Sequence, residues 1–231
     1  MHVPTFERSP YFFVVLFSIV AGILSVTILL RRRKVAWREI GLSTLLTTVC
    51  LASFSAMGSY LRAGNLHDCG FDGVSAIAGL VFGLGFSLWL FPRHNDELIE
   101  AWSISTPLMY GLSKIACHLA GCCHGFSYDG PLAVYYGDSE VGYFPVQLLE
   151  AAVFCALFLS LLIASKRLRA QQTMRLAVWF SLVAKFCLDF LRDAHAESFL
   201  SFNQCALIVL ALGFICFCGA DKCKKTKNIV K

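Results

Sequence analysis

Residues 11–30 read YFFVVLFSIVAGILSVTILL and run directly into the basic stretch RRRK at residues 31–34. A helix needs ~20 apolar residues to cross the hydrocarbon layer of a bilayer, and this run supplies them. It is longer than the apolar core of a signal peptide, and it lacks a small-residue cleavage pattern. We therefore predict a retained first transmembrane helix whose basic end lies in the cytoplasm.

The composition of the whole chain agrees with this first segment. Of its 231 residues, 57% are hydrophobic and 15% are charged, and the mean hydropathy is +0.66. A soluble domain cannot bury so large an apolar fraction. The net charge of +5 would suit nucleic acid if the basic residues gathered on one water-facing surface, but they are spread through short loops. The composition indicates a multi-pass protein of the lipid bilayer with no nucleic-acid partner.

Hydropathy predicts about seven spans in a single transmembrane domain that covers residues 1–231. The spans are residues 11–30, 40–61, 74–91, 98–119, 146–163, 176–191 and 202–217. Most of the 20 Lys and Arg residues fall in loops on one side, with Arg8, Arg62 and Arg192 on the other. By the positive-inside rule, the N-terminus lies outside and the C-terminus lies in the cytoplasm. The predicted fold is all-α, with a structured outer loop at residues 120–145.

Lys114, Glu150, Lys185 and Asp189 fall inside predicted spans, where a charge is expensive. A central Lys or Asp costs about 2.5–3.5 kcal/mol, so such residues usually face a bundle interior and mark a functional site. Lys185 and Asp189 are one helical turn apart, and Arg192 continues the same face. The helical rise places all of these groups at a similar depth, in the outer leaflet.

A cluster of this kind could bind an anionic lipid headgroup, because the cations would contact the phosphate while the carboxylates hold the cations or take a proton. A structural alternative stays open at this point. Lys185 with Asp189, and Lys114 with Glu150, could be neutralised pairs that fix helix packing.

Four segments resemble one known family. Residues 111–125, GLSKIACHLAGCCHG, resemble the Arg-Ile-Gly-centred segment of prolipoprotein diacylglyceryl transferases, in the divergent form with Gly-Cys-Cys-x-Gly. Residues 144–150, FPVQLLE, are similar to the family's His-Pro-x-Gln-Leu-Tyr-Glu. Residues 185–192, KFCLDFLR, resemble its Arg-x-x-x-Glu-Phe-x-Arg helix, and residues 201–204, SFNQ, stand where it has Leu-Ser-x-x-Gln. The ordered set covers nearly the whole chain, and the family's seven-helix, N-outside arrangement agrees with the predicted one.

This resemblance implies a transferase of lipoprotein maturation in the bacterial cytoplasmic (inner) membrane. Family members move a diacylglyceryl group from phosphatidylglycerol to the lipobox cysteine thiol of a preprolipoprotein and release glycerol phosphate. The expected partners are therefore phosphatidylglycerol, secreted preprolipoproteins and the bilayer, and no cofactor is expected. The reaction needs cations for the phosphodiester and a base for the thiol.

The resemblance and the positions of the charges together give an expected site. The expected catalytic residues are Lys114, Glu150, Lys185, Asp189, Arg192, His118 and His124. The expected substrate-binding residues are Gln147, Gly121 and Gly125.

The chain departs from the family at several of its functional positions. Lys114 and Lys185 stand where the family has arginines, and a lysine cannot form the bidentate hydrogen bonds that an arginine forms with phosphate. Asp189 stands where the family has the longer side chain of Glu. Ile77 stands where a catalytic His is expected, and Phe144 replaces another family His. His118 and His124 are candidates for the missing base because imidazole titrates near neutral pH.

Other functions stay open on the sequence alone. Five residues at 117–124 could suggest a metal centre, but adjacent cysteines rarely chelate one ion and no second pair completes four ligands, so no metal is expected. A thiol-redox membrane protein is the main rival, because Cys69, Cys122 and Cys123 fall on the oxidising side. A transporter is disfavoured because no inverted repeat is visible. A non-catalytic, lipid-binding relative is the remaining alternative.

Overall fold

The computed structural model describes residues 2–3, 8–64, 71–137, 139–193 and 199–229, and most of these are helical. The long helices are α1 (Arg8–Arg32), α2 (Trp37–Ala63), α3 (Gly73–Leu90), α4 (Asn95–Leu119), α5 (Val146–Ala164), α6 (Ala170–Asp189) and α7 (Phe202–Ile229). Two-residue strands β1 (His2–Val3) and β2 (Tyr135–Tyr136) pair in parallel, and a 3₁₀ turn at Pro92–His94 precedes α4. The predicted all-α class is confirmed, and each predicted span coincides with one helix.

Four segments of the described chain are long and apolar enough to cross a bilayer. They are Pro10–Arg32, Trp37–Ala63, Gly73–Leu90 and Val146–Ala164. Large apolar side chains cover their outward faces, and Phe13, Leu61 and Trp89 are 64%, 74% and 72% exposed. Such surfaces are stable against lipid and unfavourable in water.

The remaining long helices are less apolar, for a reason visible in their residues. Helix α4 carries Glu100 and Lys114, α6 carries Lys185, and the apolar part of α7 is the shorter segment Phe202–Cys216. Polar groups lower the hydropathy of a helix even when neighbouring helices shield them from lipid. The number of seven spans and the orientation of the termini therefore stay predictions based on charge distribution.

Helix α4 lies at the centre of the bundle, where it packs against α1, α5 and α6. Small residues permit these close approaches. A Cβ on Gly111 would lie 3.1 Å from the carbonyl oxygen of Ala151 in α5, and Ser105 of α4 donates a 2.8 Å hydrogen bond to Ser25 of α1. Four polar residues of α4 are buried in this packing, namely Glu100, Ser105, Lys114 and His118.

Helices α2 and α3 form a tightly packed pair beside this centre. A Cβ on Gly79 of α3 would lie 2.5 Å from the carbonyl oxygen of Cys50, so only glycine fits there. Asp72 caps α3 by accepting a 2.7 Å hydrogen bond from the Ser75 amide, and it pairs with Arg62 of α2 at 3.0 Å. Helices α2 and α3 thus form one wall of a cavity beside α4.

Residues 120–145 connect α4 to α5 and include β2, and this segment is called the outer loop because the charge distribution predicts that it lies outside. Bridges join Ser127 and Val134 to Tyr143 within the loop. A further bridge joins Gly125 to Arg192, so that the loop is attached to the chain just after α6. This attachment brings the ends of α4, α5 and α6 together.

Candidate active site

Glu150, in the first turns of α5, is the centre of a buried cluster of charges. Its carboxylate is fully buried and accepts a 2.7 Å hydrogen bond from Lys185 of α6. Arg192 donates to both of its oxygens at 3.0 Å, and Lys114 of α4 lies 3.4 Å from Oε2. One carboxylate therefore holds three cations, one from α4 and two from the end of α6 and the residues that follow it.

Asp189, the last residue of α6, is a second buried carboxylate in the same cluster. Lys185 donates to its Oδ1 at 3.3 Å, and Arg192 Nε lies 3.2 Å from the same oxygen in an ion pair. The Ser201 hydroxyl donates to its other oxygen, Oδ2. Both oxygens of Asp189 thus have partners. These contacts hold the side chains of Lys185 and Arg192 in position.

The Ser201 that reaches Asp189 also begins α7. Its hydroxyl oxygen accepts from the Gln204 amide at 3.1 Å, while the Gln204 side chain accepts from the Ser201 amide at 3.1 Å. This reciprocal pair is a capping box, which satisfies amides that a helix start leaves without partners. The Ser201 hydroxyl therefore has two roles. It caps the start of α7, and it holds the Asp189 carboxylate in position.

The cluster carries an excess of positive charge. Its cations are Lys114, Lys185 and Arg192, and its carboxylates are Glu150 and Asp189. In their ordinary ionisation states these groups leave one cation unbalanced in a largely buried place. A buried excess charge is unfavourable until a counter-ion neutralises it, so the geometry favours an anionic ligand.

A mostly apolar cavity of about 150 Å³ opens beside Lys114 among helices α1, α2, α3 and α4. Its lining includes Tyr11, Ile77, Tyr110, Lys114 and Cys117. The Tyr110 ring faces both lysines, with its centroid 4.9 Å from Lys114 Nζ and 5.9 Å from Lys185 Nζ. The buried Tyr110 hydroxyl has no hydrogen-bond partner among the described residues, so it can donate to a ligand or to a water molecule.

His118 and His124 lie near the cluster. Their described contacts are with tyrosine side chains and backbone groups, and not with Glu150 or Asp189. His118 Nδ1 is 3.1 Å from the Tyr136 hydroxyl, and Gln147 donates to that same hydroxyl at 3.1 Å. The Tyr136 hydroxyl can also donate its own proton, and His118 Nδ1 accepts it in the tautomer in which that nitrogen is unprotonated. Burial raises the pKa of Tyr136, so the phenol stays a donor at neutral pH. His124 instead packs against Tyr143, with ring centroids 4.1 Å apart and the ring planes tilted by 43°.

The comparison with known families agrees with these features. A sequence model of the prolipoprotein diacylglyceryl transferase family matches residues 2–219, nearly the whole chain. The chain belongs to the prolipoprotein diacylglyceryl transferase family. No curated protein matches the sequence significantly. The family assigns the chain to membrane-associated transferases and confirms the resemblance seen in its motifs.

In this member of the prolipoprotein diacylglyceryl transferase family, the structure brings five predicted catalytic residues into one cluster. They are Lys114, Glu150, Lys185, Asp189 and Arg192. The predicted substrate-binding residue Gln147 is fully buried and donates to the Cys122 carbonyl at 2.9 Å as well as to Tyr136. It therefore joins the start of α5 to the outer loop, and its other amide atom, Oε1, has no partner among the described residues.

The two predicted glycines shape the backbone around the site. Gly121 adopts φ +68°, a left-handed conformation that ends α4. A Cβ on Gly125 would lie 2.6 Å from the Phe144 carbonyl and 2.9 Å from the Leu191 carbonyl. Gly125 is thus required where the loop passes between two other segments, and a direct contact of either glycine with substrate stays a prediction.

Two tyrosines of the site, Tyr110 and Tyr136, were not predicted from the sequence. Tyr110 precedes Lys114 by one helical turn, which is a usable signal for a shared face. Tyr136 lies in the outer loop, and no spacing rule relates it to His118 or Gln147. Ile77, at the position where the family His is expected, lines the cavity and offers no group for proton transfer.

The three cysteines of the segment also meet in the structure. The sulfur atoms of Cys117, Cys122 and Cys123 all lie within 4.8 Å of one another, and all three thiols are free. The spacing of these residues along the chain predicts no metal site. Cys69, which the redox hypothesis also invoked, lies outside the described residues.

Proposed function

We propose that this chain transfers a diacylglyceryl group from phosphatidylglycerol to the lipobox cysteine of a preprolipoprotein, at the outer face of a bacterial cytoplasmic membrane. Membership in the family supports the reaction class. The observation that supports this site is the buried cluster around Glu150, in which three cations face two carboxylates beside an apolar cavity. A lipid with one phosphate and two acyl chains is complementary to this site, because the phosphate matches the cations and the acyl chains match the apolar cavity.

Lys114 is the cation best placed to bind the lipid phosphate. It lines the cavity, and its ion pair with Glu150, at 3.4 Å, is the loosest contact that this carboxylate makes with the three cations. Lys185 and Arg192 each contact both carboxylates, so we propose that they supply fixed positive charge behind it. The unpartnered Tyr110 hydroxyl is available to donate to a phosphate oxygen.

The proposed reaction forms one carbon–sulfur bond and breaks one carbon–oxygen bond. The acceptor cysteine, as a thiolate, attacks the diacylglyceryl carbon that carries the phosphate ester. The electrons of the broken bond stay on the phosphate oxygen, so glycerol phosphate leaves as an anion. Preorganised cations stabilise this leaving group because they interact more strongly with the charge that develops on it.

The thiol proton needs an acceptor, and the family's histidine position is occupied by Ile77. We propose His118, acting through the Tyr136 hydroxyl, in the tautomer whose unprotonated Nδ1 accepts from that hydroxyl at 3.1 Å. Tyr136 would take a proton from the thiol while passing its own to His118. Gln147 holds the phenol oxygen in place for this relay.

The decisive experiment measures thioether formation on a lipobox peptide by mass spectrometry, with the purified full chain in phosphatidylglycerol vesicles. Lys114→Met should lower the rate by roughly 10- to 150-fold, which corresponds to the 1.5–3 kcal/mol typical of a hydrogen bond to a charged group. Lys114→Arg should keep most of the activity.

Arg33→Met is the matched control, because Arg33 pairs with Glu100 at 2.7 Å elsewhere on α4. It should leave the transfer rate within about twofold of the parent, because Glu100 precedes Lys114 on α4 by about 21 Å of helix. Binding of phosphatidylglycerol without transfer to any lipobox peptide would overturn the proposal and favour the non-catalytic lipid-binding alternative. Equal rates for the parent chain and Lys114→Met would contradict the role given to Lys114.

A further inference from the structure

The three-thiol cluster, formed by Cys117, Cys122 and Cys123, is built by the way α4 ends. The Gly121 amide donates to the His118 carbonyl at 3.2 Å, and the Cys122 amide donates to the Cys117 carbonyl at 3.1 Å. These bonds define a Schellman motif, in which the side chains of the two residues joined by the longer-range bond come into contact. In this chain, those two side chains are thiols.

Cys123 completes the cluster at the expense of backbone strain. Its φ is +57°, in the left-handed region that side chains other than Gly, Asn and Asp rarely adopt. Such strain persists where surrounding structure imposes it, and it concentrates at functional sites. The strained turn directs the third sulfur to within 4.8 Å of the other two.

The spacing of the sulfurs matches a coordination site. With metal–sulfur bonds of about 2.3 Å, three thiolates around one ion lie about 4 Å apart, so small side-chain rotations would close the cluster. Among the described residues no other Cys, His, Asp or Glu joins the group. The neighbouring His124 directs Nδ1 to the Gly125 carbonyl, at 3.2 Å. A set of three soft sulfur ligands suits a thiophilic ion that accepts three-coordination or adds a water.

The surroundings are compatible with a metal thiolate. Lys114 precedes Cys117 by three residues on α4, and both line the same cavity, so a cation lies beside the negative charge of bound thiolates. Cys123 is exposed while Cys117 and Cys122 are half-buried, which gives an ion a path from the outer loop to the cluster. Cysteines that only shape a turn would need neither a nearby cation nor an exposed thiol.

We propose that Cys117, Cys122 and Cys123 together bind one soft, thiophilic metal ion, of the Cu(I) or Zn(II) class. The bound ion would tie the end of α4 to the outer loop. That loop also carries the Gly125 bridge to Arg192, and the Cys122 carbonyl accepts from Gln147. The metal proposal does not rest on the proposed lipid transfer, because it is argued from the three thiols and the turn that carries them.

The test uses the full chain, purified in detergent with a phosphine reductant, and exposed separately to Cu(I), Zn(II) and Cd(II). After desalting, elemental analysis should find one ion per chain in at least one arm, with a sulfur-to-metal charge-transfer band for Cd(II). Cys123→Ser should lower the affinity at least tenfold. The Cys155→Ser control, which removes a half-buried thiol of α5, should retain the ion.

A second measurement on the parent chain covers the case in which Cys123→Ser does not fold. The metal should slow maleimide labelling of Cys123 and should raise the thermal unfolding temperature, because it binds the folded chain alone. Failure of all three ions to bind would overturn the proposal. So would equal binding by the Cys117→Ser, Cys122→Ser, Cys123→Ser triple variant, or labelling that is unaffected by metal. Reversible formation of a disulfide within the cluster, with no metal bound in any arm, would favour the redox alternative instead.

Discussion

At the scale of single residues, Glu150 shows how a bundle makes an intramembrane charge tolerable. The carboxylate is buried, yet every cation of the cluster contacts it. Removing one partner of a buried ion pair is far more damaging than never having the pair, because the other charge stays without compensation. The sequence alternative of separate neutralised pairs is too simple, since Lys185 contacts both Glu150 and Asp189.

Glu150→Gln should therefore lower the free energy of unfolding by about 3–5 kcal/mol, because it leaves like charges facing each other. Thermal and denaturant unfolding in detergent measure the change. Glu100→Gln is the matched control: Glu100 is also buried, but its partner Arg33 is half exposed and can turn to water, so the loss should be about 1 kcal/mol or less. Equal losses in the two variants would show that the cluster is not a coupled unit.

Tyr136 permits a test of the proposed proton relay. Tyr136→Phe keeps the ring but removes the hydroxyl between Gln147 and His118, so transfer should fall by roughly 10²–10⁴-fold, the range of general base catalysis. Phosphatidylglycerol binding should not change. Tyr143→Phe, which alters the other phenol beside His124, is the control and should transfer at the parent rate. A Tyr136→Phe variant with full activity at every pH would remove His118 from the mechanism.

At the scale of elements, each charged segment is positioned by the end of a helix. Helix α4 ends in the Schellman turn that carries Gly121, and α6 ends at Asp189. Helix α7 begins with the capping box of Ser201 and Gln204. The site thus lies where helices stop, because a helix end leaves backbone groups that a loop can use to attach itself.

Ser201→Ala should destabilise the fold by about 1–3 kcal/mol, since it removes the cap of α7 and a hydrogen bond to buried Asp189. Ser201→Thr should recover most of that loss because it keeps the hydroxyl. The comparison is Ser160→Ala, an exposed serine that bonds within its own helix, with an expected change of about 0.5 kcal/mol or less. Unfolding curves for the three variants decide this point, and a neutral Ser201→Ala would contradict the role given to the cap.

At the scale of the whole molecule, the orientation in the membrane is the prediction with the widest consequences. The charge distribution places the end of the chain in the cytoplasm and the loop at residues 120–145 outside. Leu132, which is 80% exposed, offers a labelling position in this loop.

A reporter fused after residue 231 should be active in the cytoplasm, and a cysteine introduced at Leu132 should react with a membrane-impermeant reagent from outside. The reverse pattern would overturn the topology and the outer-face site together. A cysteine at Lys34, in the basic stretch after α1, supplies the matched inner position and should be protected from the same reagent.

Much of this organisation was predictable from the sequence. Long apolar runs predict the helices because lipid offers no other way to satisfy the backbone. The helical period also placed Lys185, Asp189 and Arg192 on one face, and the structure confirms that Asp189 contacts both cations. The ordered motifs indicated the family, and the match over residues 2–219 confirms it.

The tertiary structure decided which groups meet across helices. Spacing within one helix fixes neighbours at i+3 and i+4, but the contacts of Glu150 depend on the rotation and depth of α4, α5 and α6, which no local rule supplies. The same holds for Tyr136, which reaches His118 through the folding of the outer loop, and for Cys117, which meets Cys123 through a left-handed turn. The sequence by itself determined which residues are too polar for lipid, because transfer free energies are local properties. Their partners were decided by packing, because contact is a property of the whole bundle.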